Sequence, residues 1–118
     1  LFRSSIKHVV QTLKDAFGSE RGNFHLLFAC AADKDAVGIA KAVRGIFTEI
    51  TITETGGRAR NADDLKAVFA DTGMTATTEK DVRTALESAL AKADAAHATL
   101  LAAGSFYLAA EVIAALSR

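Results

Sequence analysis

Phe24-His25-Leu26-Leu27-Phe28-Ala29-Cys30-Ala31-Ala32-Asp33-Lys34-Asp35 is a continuous apolar run closed by three charges. Apolar residues on consecutive rather than alternate positions, over so short a length, fit a strand covered on both faces. Residues 24–32 are therefore expected to form a buried strand. Asp33-Lys34-Asp35 breaks it, and an Asp stands where the cap of a following helix belongs. A strand buried on both sides needs a helical layer on each, which the rest of the chain must supply.

Downstream, Val37, Ala40, Val43, Ile46 and Phe47 recur at helical spacing, which predicts a helix to about Phe47. Residues 49–54 alternate Ile50 and Ile52 with Thr51 and Thr53, the period of a strand with one face less buried. Gly56-Gly57-Arg58-Ala59-Arg60 reads as a loop, and Asn61 as the cap of a helix carrying Leu65, Val68 and Phe69 and stopped near Gly73. Residues 74–78 suit a further strand, and residues 79–93 restore the helical period through Val82, Ala85, Leu86, Ala89 and Leu90. The run from Thr99 to Glu111 is apolar up to Gly104-Ser105 and helix-patterned after it, a strand-to-helix switch whose first amides suit an anion. Residues 98–116 approach the length of a membrane span, but Gly104-Ser105 and Glu111 interrupt them, and a buried Glu is costly in lipid. Upstream, Ile6, Val9, Val10, Leu13 and Phe17 mark one more helix, with Ser4 or Ser5 to cap it and Gly18 to end it.

Strands alternating with helices imply parallel pairing through right-handed crossovers. The expected class is α/β: a three-layer α/β/α domain with a mainly parallel, Rossmann-like sheet of about four strands, formed as a single domain over residues 1–118. In such sheets ligands lie beyond the carboxyl ends of the strands, where strand order reverses. Two loops there carry chemistry, Asp33-Lys34-Asp35 and Gly104-Ser105-Phe106-Tyr107, with the Arg58 and Arg60 loop a third candidate.

With 118 residues, the chain is large enough to bury roughly two-thirds of its unfolded surface. Fourteen basic and 14 acidic residues cancel, so neither a nucleic-acid footprint nor a membrane-surface patch is expected. The single cysteine, Cys30, excludes an internal disulfide framework and reads as a small core residue. No secretory pattern is visible, so a cytoplasmic protein is expected, and the absence of Met at position 1 points to a piece of a longer chain.

Each candidate has two readings. Asp33 and Asp35 are helix caps, or one of them meets a ligand ammonium while Lys34 meets its carboxylate, a mixed-sign site suited to a zwitterion. Ser105 caps a helix, and the same geometry serves a carboxylate. Arg58 and Arg60 are solvated loop charges or forks for a carboxylate or phosphate. His25 reads as a partnered core or half-buried residue. No His, Cys, Asp or Glu cluster has metal-ligand spacing, so no metal site is expected. Neither a Gly-x-Ser-x-Gly elbow nor a Gly-x-x-x-x-Gly-Lys-Ser/Thr phosphate loop is present, so no catalytic group is assigned within the chain.

Four segments in order carry a resemblance: Leu26 to Asp35; Arg58-Ala59 followed by Asp63-Asp64-Leu65; Asp81-Val82 on to Ala93; and Gly104-Ser105-Phe106-Tyr107 on to Val112. Together they resemble the carboxyl-terminal, glutamate ligase domain of the folylpolyglutamate and dihydrofolate synthases of the Mur ligase family. The likeness covers nearly the whole chain. It implies an ATP- and Mg2+-dependent amide ligase that joins L-glutamate to a folate or dihydropteroate acceptor through an acyl phosphate. In that family the phosphate loop and metal ligands belong to amino-terminal and central domains, so this domain alone is expected to be inactive.

The resemblance implies that Asp33 and Lys34, with Asp35, contact the incoming amino acid, that Ser105 lies near its carboxylate, and that Arg58 matches the arginine of a Pro-Arg loop. Gly57 stands where that proline is usual. The family's Asp-Gly-Ala-His-Asn-Pro segment belongs before the first helix, where this chain reads Leu1-Phe2-Arg3: it lies outside the chain or has been lost. The alternative expectation is a stand-alone α/β ligand-binding or interaction module without catalysis.

Overall fold

The computed structural model describes residues 24–56 and 59–104. Within them the chain runs β1 (Phe24–Ala29), α1 (Ala36–Val43), β2 (Glu49–Ile52), α2 (Ala62–Asp71), β3 (Thr77–Thr78), α3 (Val82–Ala95) and β4 (Thr99–Gly104). The four strands form one sheet in the order β3-β2-β1-β4, every pair parallel. The helices expected at the two ends of the chain lie outside the described residues.

The run of consecutive apolar residues in β1 is explained by its place at the interior of the sheet. Leu26, Phe28 and Cys30 point to one face and pack with Ile50 and Ile52 of β2 against Ala36, Ala40 and Val43 of α1 and Ala62, Leu65 and Phe69 of α2. Leu27 points the other way, against Ala85, Leu86 and Ala89 of α3 with Leu100 of β4 alongside, and Ala29 meets Val82. Helices on both faces of a parallel sheet make the three-layer α/β arrangement read from the sequence. The rings of Phe28 and Phe69 meet at 5.5 Å and 51°, a tilted pair joining β1 to α2.

Strand order accounts for which helix lies where. The chain steps outward from β1 to β2 to β3 through α1 and α2, then returns through α3 to place β4 on the free side of β1. Right-handed crossovers in opposite directions put their helices on opposite faces. The order therefore reverses between β1 and β4, and ligands of such sheets bind at the carboxyl ends of that pair.

Several boundaries are shorter than the apolar pattern suggests, each for a local reason. β1 ends at Ala29, and β2 and β4 pair with it only as far as Phe28 and Ala29. α1 stops at Val43 because the chain turns at Gly45, where φ is +80°, and Ile46 donates to Val43. Met74, expected in a strand, instead donates its amide to Phe69 to close α2, leaving only Thr77 and Thr78 to pair with β2. α3 starts at Val82, since the Glu79 amide still extends the sheet by donating to Ile52. Val37 and Leu90, counted in the apolar stripes, face solvent at 47% and 44% exposure, and Ala36, Ala40 and Ala89 take the inward positions.

Candidate functional site at the carboxyl ends of β1 and β4

Beyond Ala29 the chain bends through Asp33 and Lys34, both exposed, into the first turn of α1. The bend is held by the Lys34 amide donating to the Ala31 carbonyl at 3.1 Å. Asp35 is the cap: its Oδ1 accepts the Gly38 amide at 3.0 Å. One of the three charges is thus committed to the helix. The Asp33 carboxylate and the Lys34 ammonium make no hydrogen bond or ion pair among the described residues, and they stand exposed where strand order reverses.

A second loop is bound to this one. Ala59 forms an antiparallel bridge with Ala31, and the Arg60 amide donates to the Cys30 carbonyl at 2.8 Å. The loop then enters α2, where Asn61 Oδ1 accepts the amides of Asp63 and Asp64 at 2.8 and 3.2 Å. Glu54, just past β2, accepts the Ala62 amide on Oε2 at 2.8 Å. A carboxylate from another strand therefore satisfies one of the unpaired amides at the start of α2. Glu54 gave no sequence signal, because its partner is distant in the chain.

Cys30 lies at the base of the two loops, 1% exposed, its Sγ donating to the Ala31 carbonyl at 3.3 Å. Burial pushes its thiol up, while Arg60 and then Lys34 pull against that shift. The net direction is upward, so Cys30 is a protonated core residue rather than a nucleophile. His25 is buried as expected, but among the described residues its Nδ1 has no hydrogen bond. It sits on the α3 face at the amino end of β1, far from these loops.

The structure therefore brings Asp33, Lys34 and Arg60 to one end of the sheet and assigns Asp35 to capping. Arg58 and Ser105 lie outside the described residues, although Gly104, next to Ser105, pairs with Ala29 beside this end. Among the described residues no group of His, Cys, Asp and Glu is placed to hold a metal ion, and no helix is long and apolar enough to cross a membrane. A groove of about 400 Å³ is lined by Arg44, Phe47, Ile50 and Met74 among others. It lies at the amino ends of the strands, opposite the switch point, and among the described residues no carboxylate or general base lines it.

Comparison with known proteins follows the same lines. The family model described as Mur ligase, glutamate ligase domain, matches residues 3–106. No curated protein matches the chain. Among solved structures, bifunctional folylpolyglutamate synthase/dihydrofolate synthase from Yersinia pestis aligns with a TM-score of 0.77 at 24% identity, covering 98% of this chain and 27% of that one. Folylpolyglutamate synthase from Mycobacterium tuberculosis complexed with ADP aligns at 0.77 and 21% identity, over 94% of this chain and 27% of that one. FolC from Escherichia coli in complex with DHPP and ADP aligns at 0.76 and 19% identity, over 97% and 27%. At these identities the likeness is one of fold, and the chain spans about a quarter of the length of each.

Proposed function

The chain belongs to the Mur ligase glutamate ligase domain family, and on that premise we propose that it is the carboxyl-terminal, substrate-binding domain of an ATP-dependent ligase that joins L-glutamate to a folate or dihydropteroate. The observation that carries the reading is the exposed Asp33-Lys34 pair at the carboxyl end of β1, where strand order reverses. A zwitterionic amino acid needs one cation and one anion within its own length, and adjacent residues on a fixed bend supply them. The structural likeness to folylpolyglutamate synthases solved with ADP, AMPPCP, AMPPNP and Mn, and DHPP supports the choice of reaction.

In this reading the amino-terminal and central domains of a cytoplasmic parent hold ATP and Mg2+, which supply the activated acyl phosphate. The amino group of glutamate, having given up its proton, attacks the acyl carbon; the bond to the phosphate oxygen breaks and phosphate leaves. This domain's part is positioning. Lys34 draws in a carboxylate, Asp33 the ammonium, and the resemblance adds Ser105 and Arg58 as further carboxylate contacts. Fixing the amine relative to the acyl carbon lowers the barrier through orientation alone. Asp35 acts at one remove, by capping the helix that holds the bend.

Titrating L-glutamate into the isotopically labelled chain tests the assignment. Amide shifts should concentrate at Asp33, Lys34 and Ser105, with an affinity in the millimolar range or weaker, since domain closure completes such sites. Shifts spread elsewhere, with these three silent, would overturn it.

A further inference from the structure

Glu54 stands just past β2, half-buried, and reaches forward to the Ala62 amide, which its Oε2 accepts at 2.8 Å. Between the two lies the loop that carries Arg58 and Arg60. Gly56 and Gly57 give this loop wide backbone freedom, so its conformation has to be imposed by bonds around it. On the side of β1, the Thr53 amide donates to Phe28, the Arg60 amide to Cys30, and Ala59 bridges Ala31. On the side of α2, Glu54 joins the strand end before the loop to the first residue of the helix after it.

The start of α2 is already marked by a local residue: the Asn61 side chain takes the amides of Asp63 and Asp64, and its carbonyl takes that of Leu65. What Glu54 adds is closure. Residues 54 and 62 become the two ends of a ring, and Arg60 is held between the Cys30 contact and the Ala62 contact. A carboxylate suits the task, because the bond is charge-assisted and lies at the positive end of the helix dipole. We propose that Glu54 is a positioning residue: by holding Ala62 it fixes the loop of residues 55–61, and so sets the place of Arg60 at the carboxyl end of β1 before a ligand arrives. The proposal rests on the reading above in placing the ligand at this end of the sheet. A loop fixed in advance spares the ligand the entropy of ordering it.

Hydrogen exchange and L-glutamate titration of the labelled 118-residue chain test this in the wild type, E54A, E54Q and D81A. D81A removes the cap of α3, a comparable loss at a helix that does not follow this loop. In E54A the Arg60 amide should exchange about tenfold faster relative to the amides of Leu27 and Phe28, which report global opening, the order of one hydrogen bond to a charged group. L-Glutamate affinity should fall with it, by up to about tenfold. E54Q, whose amide oxygen is still an acceptor, should recover part of both, and D81A should leave both as in the wild type. If E54A leaves the relative exchange of Arg60 unchanged, or D81A raises it as much, the proposal is overturned. If the exchange rises while glutamate affinity holds, Glu54 fastens the loop but positions nothing, and the proposal fails while the glutamate reading stands. If the wild type gives no response to glutamate, that reading fails, and the relative exchange of Arg60 in E54A and E54Q still decides the role of Glu54. Should E54A lose its folded spectrum, E54Q is read in its place, with a smaller rise in the same ratio expected and no rise counting against Glu54.

Discussion

Asp35 closes over Gly38: its Oδ1 accepts the Gly38 amide at 3.0 Å, and its Oδ2 occupies the space that a Cβ at position 38 would fill. Gly38 lies in the first turn of α1, and a glycine within a helix is otherwise unfavourable by up to about 1 kcal/mol relative to alanine. Cap and glycine are therefore one unit, and together they fix the end of the Asp33-Lys34 bend.

This coupling predicts a sign change. In the wild type, Gly38→Ala should destabilise or be neutral, because the added methyl displaces the cap, itself worth about 1 kcal/mol. In a D35A background the same substitution should stabilise by up to about 1 kcal/mol. A double-mutant cycle by urea unfolding measures the difference, and additive effects would contradict the coupling.

Lys34→Ala in the parent ligase should raise the KM for glutamate by about tenfold, the loss of one charge-assisted contact, and leave the KM for ATP unchanged within about twofold. Lys34 is exposed, and among the described residues it bonds only through its backbone, the amide donating to Ala31 and the carbonyl accepting from Ala36, so the substitution should not disturb the fold. Steady-state kinetics with each substrate varied in turn separates the two constants. An equal rise in both would remove Lys34 from the amino-acid site.

A third expectation concerns His25, whose buried Nδ1 lacks a partner among the described residues. An unsatisfied buried polar atom costs roughly 1–3 kcal/mol, so replacement by a similar apolar side chain, His25→Leu, should be neutral or stabilising by about 1 kcal/mol. Leu27→Ala on the same face, 0% exposed, should cost about 2–5 kcal/mol. Urea unfolding of both variants makes the comparison. A His25→Leu chain clearly less stable than the wild type would mean that the imidazole has a partner after all.

The layers were legible in the sequence because burial was written into the spacing. Leu26 and Phe28 face α1 and α2 while Leu27 faces α3, and only a strand covered on both sides uses such a run. The caps Asp35 and Asn61 were legible for a similar reason: capping is local, and the residue stands within three positions of the amides it accepts. What was hidden depends on contacts between distant segments. Met74 is pulled from the edge strand to end α2, Glu54 reaches the first amide of that helix, and Arg60 is bonded to the end of β1. No window along the chain contains both members of these pairs. For that reason the spacing around Arg60 offers both a solvated loop charge and a fork for a carboxylate or phosphate without choosing between them.

Stability should also respond to acid through Asp81, the cap of α3. Its Oδ2 accepts the Thr84 hydroxyl at 2.7 Å and the Thr84 amide at 2.9 Å, and these bonds, the hydroxyl first, hold the carboxyl below its ordinary range. A group whose pKa is lower folded than unfolded stabilises the fold above its unfolded value, about 3.9 for Asp. That contribution is lost as pH falls through the folded value. Asp81→Asn keeps an acceptor without the charge, so it isolates this contribution. The urea midpoint of the wild type should exceed that of D81N at neutral pH, and the gap should narrow below about pH 4 and close once the carboxyl is protonated in both states. Thr84→Val, which removes the hydroxyl, should shift the narrowing to higher pH. A gap that stays constant from neutral pH to about pH 2 would show that the charge on Asp81 contributes nothing to holding α3 in place.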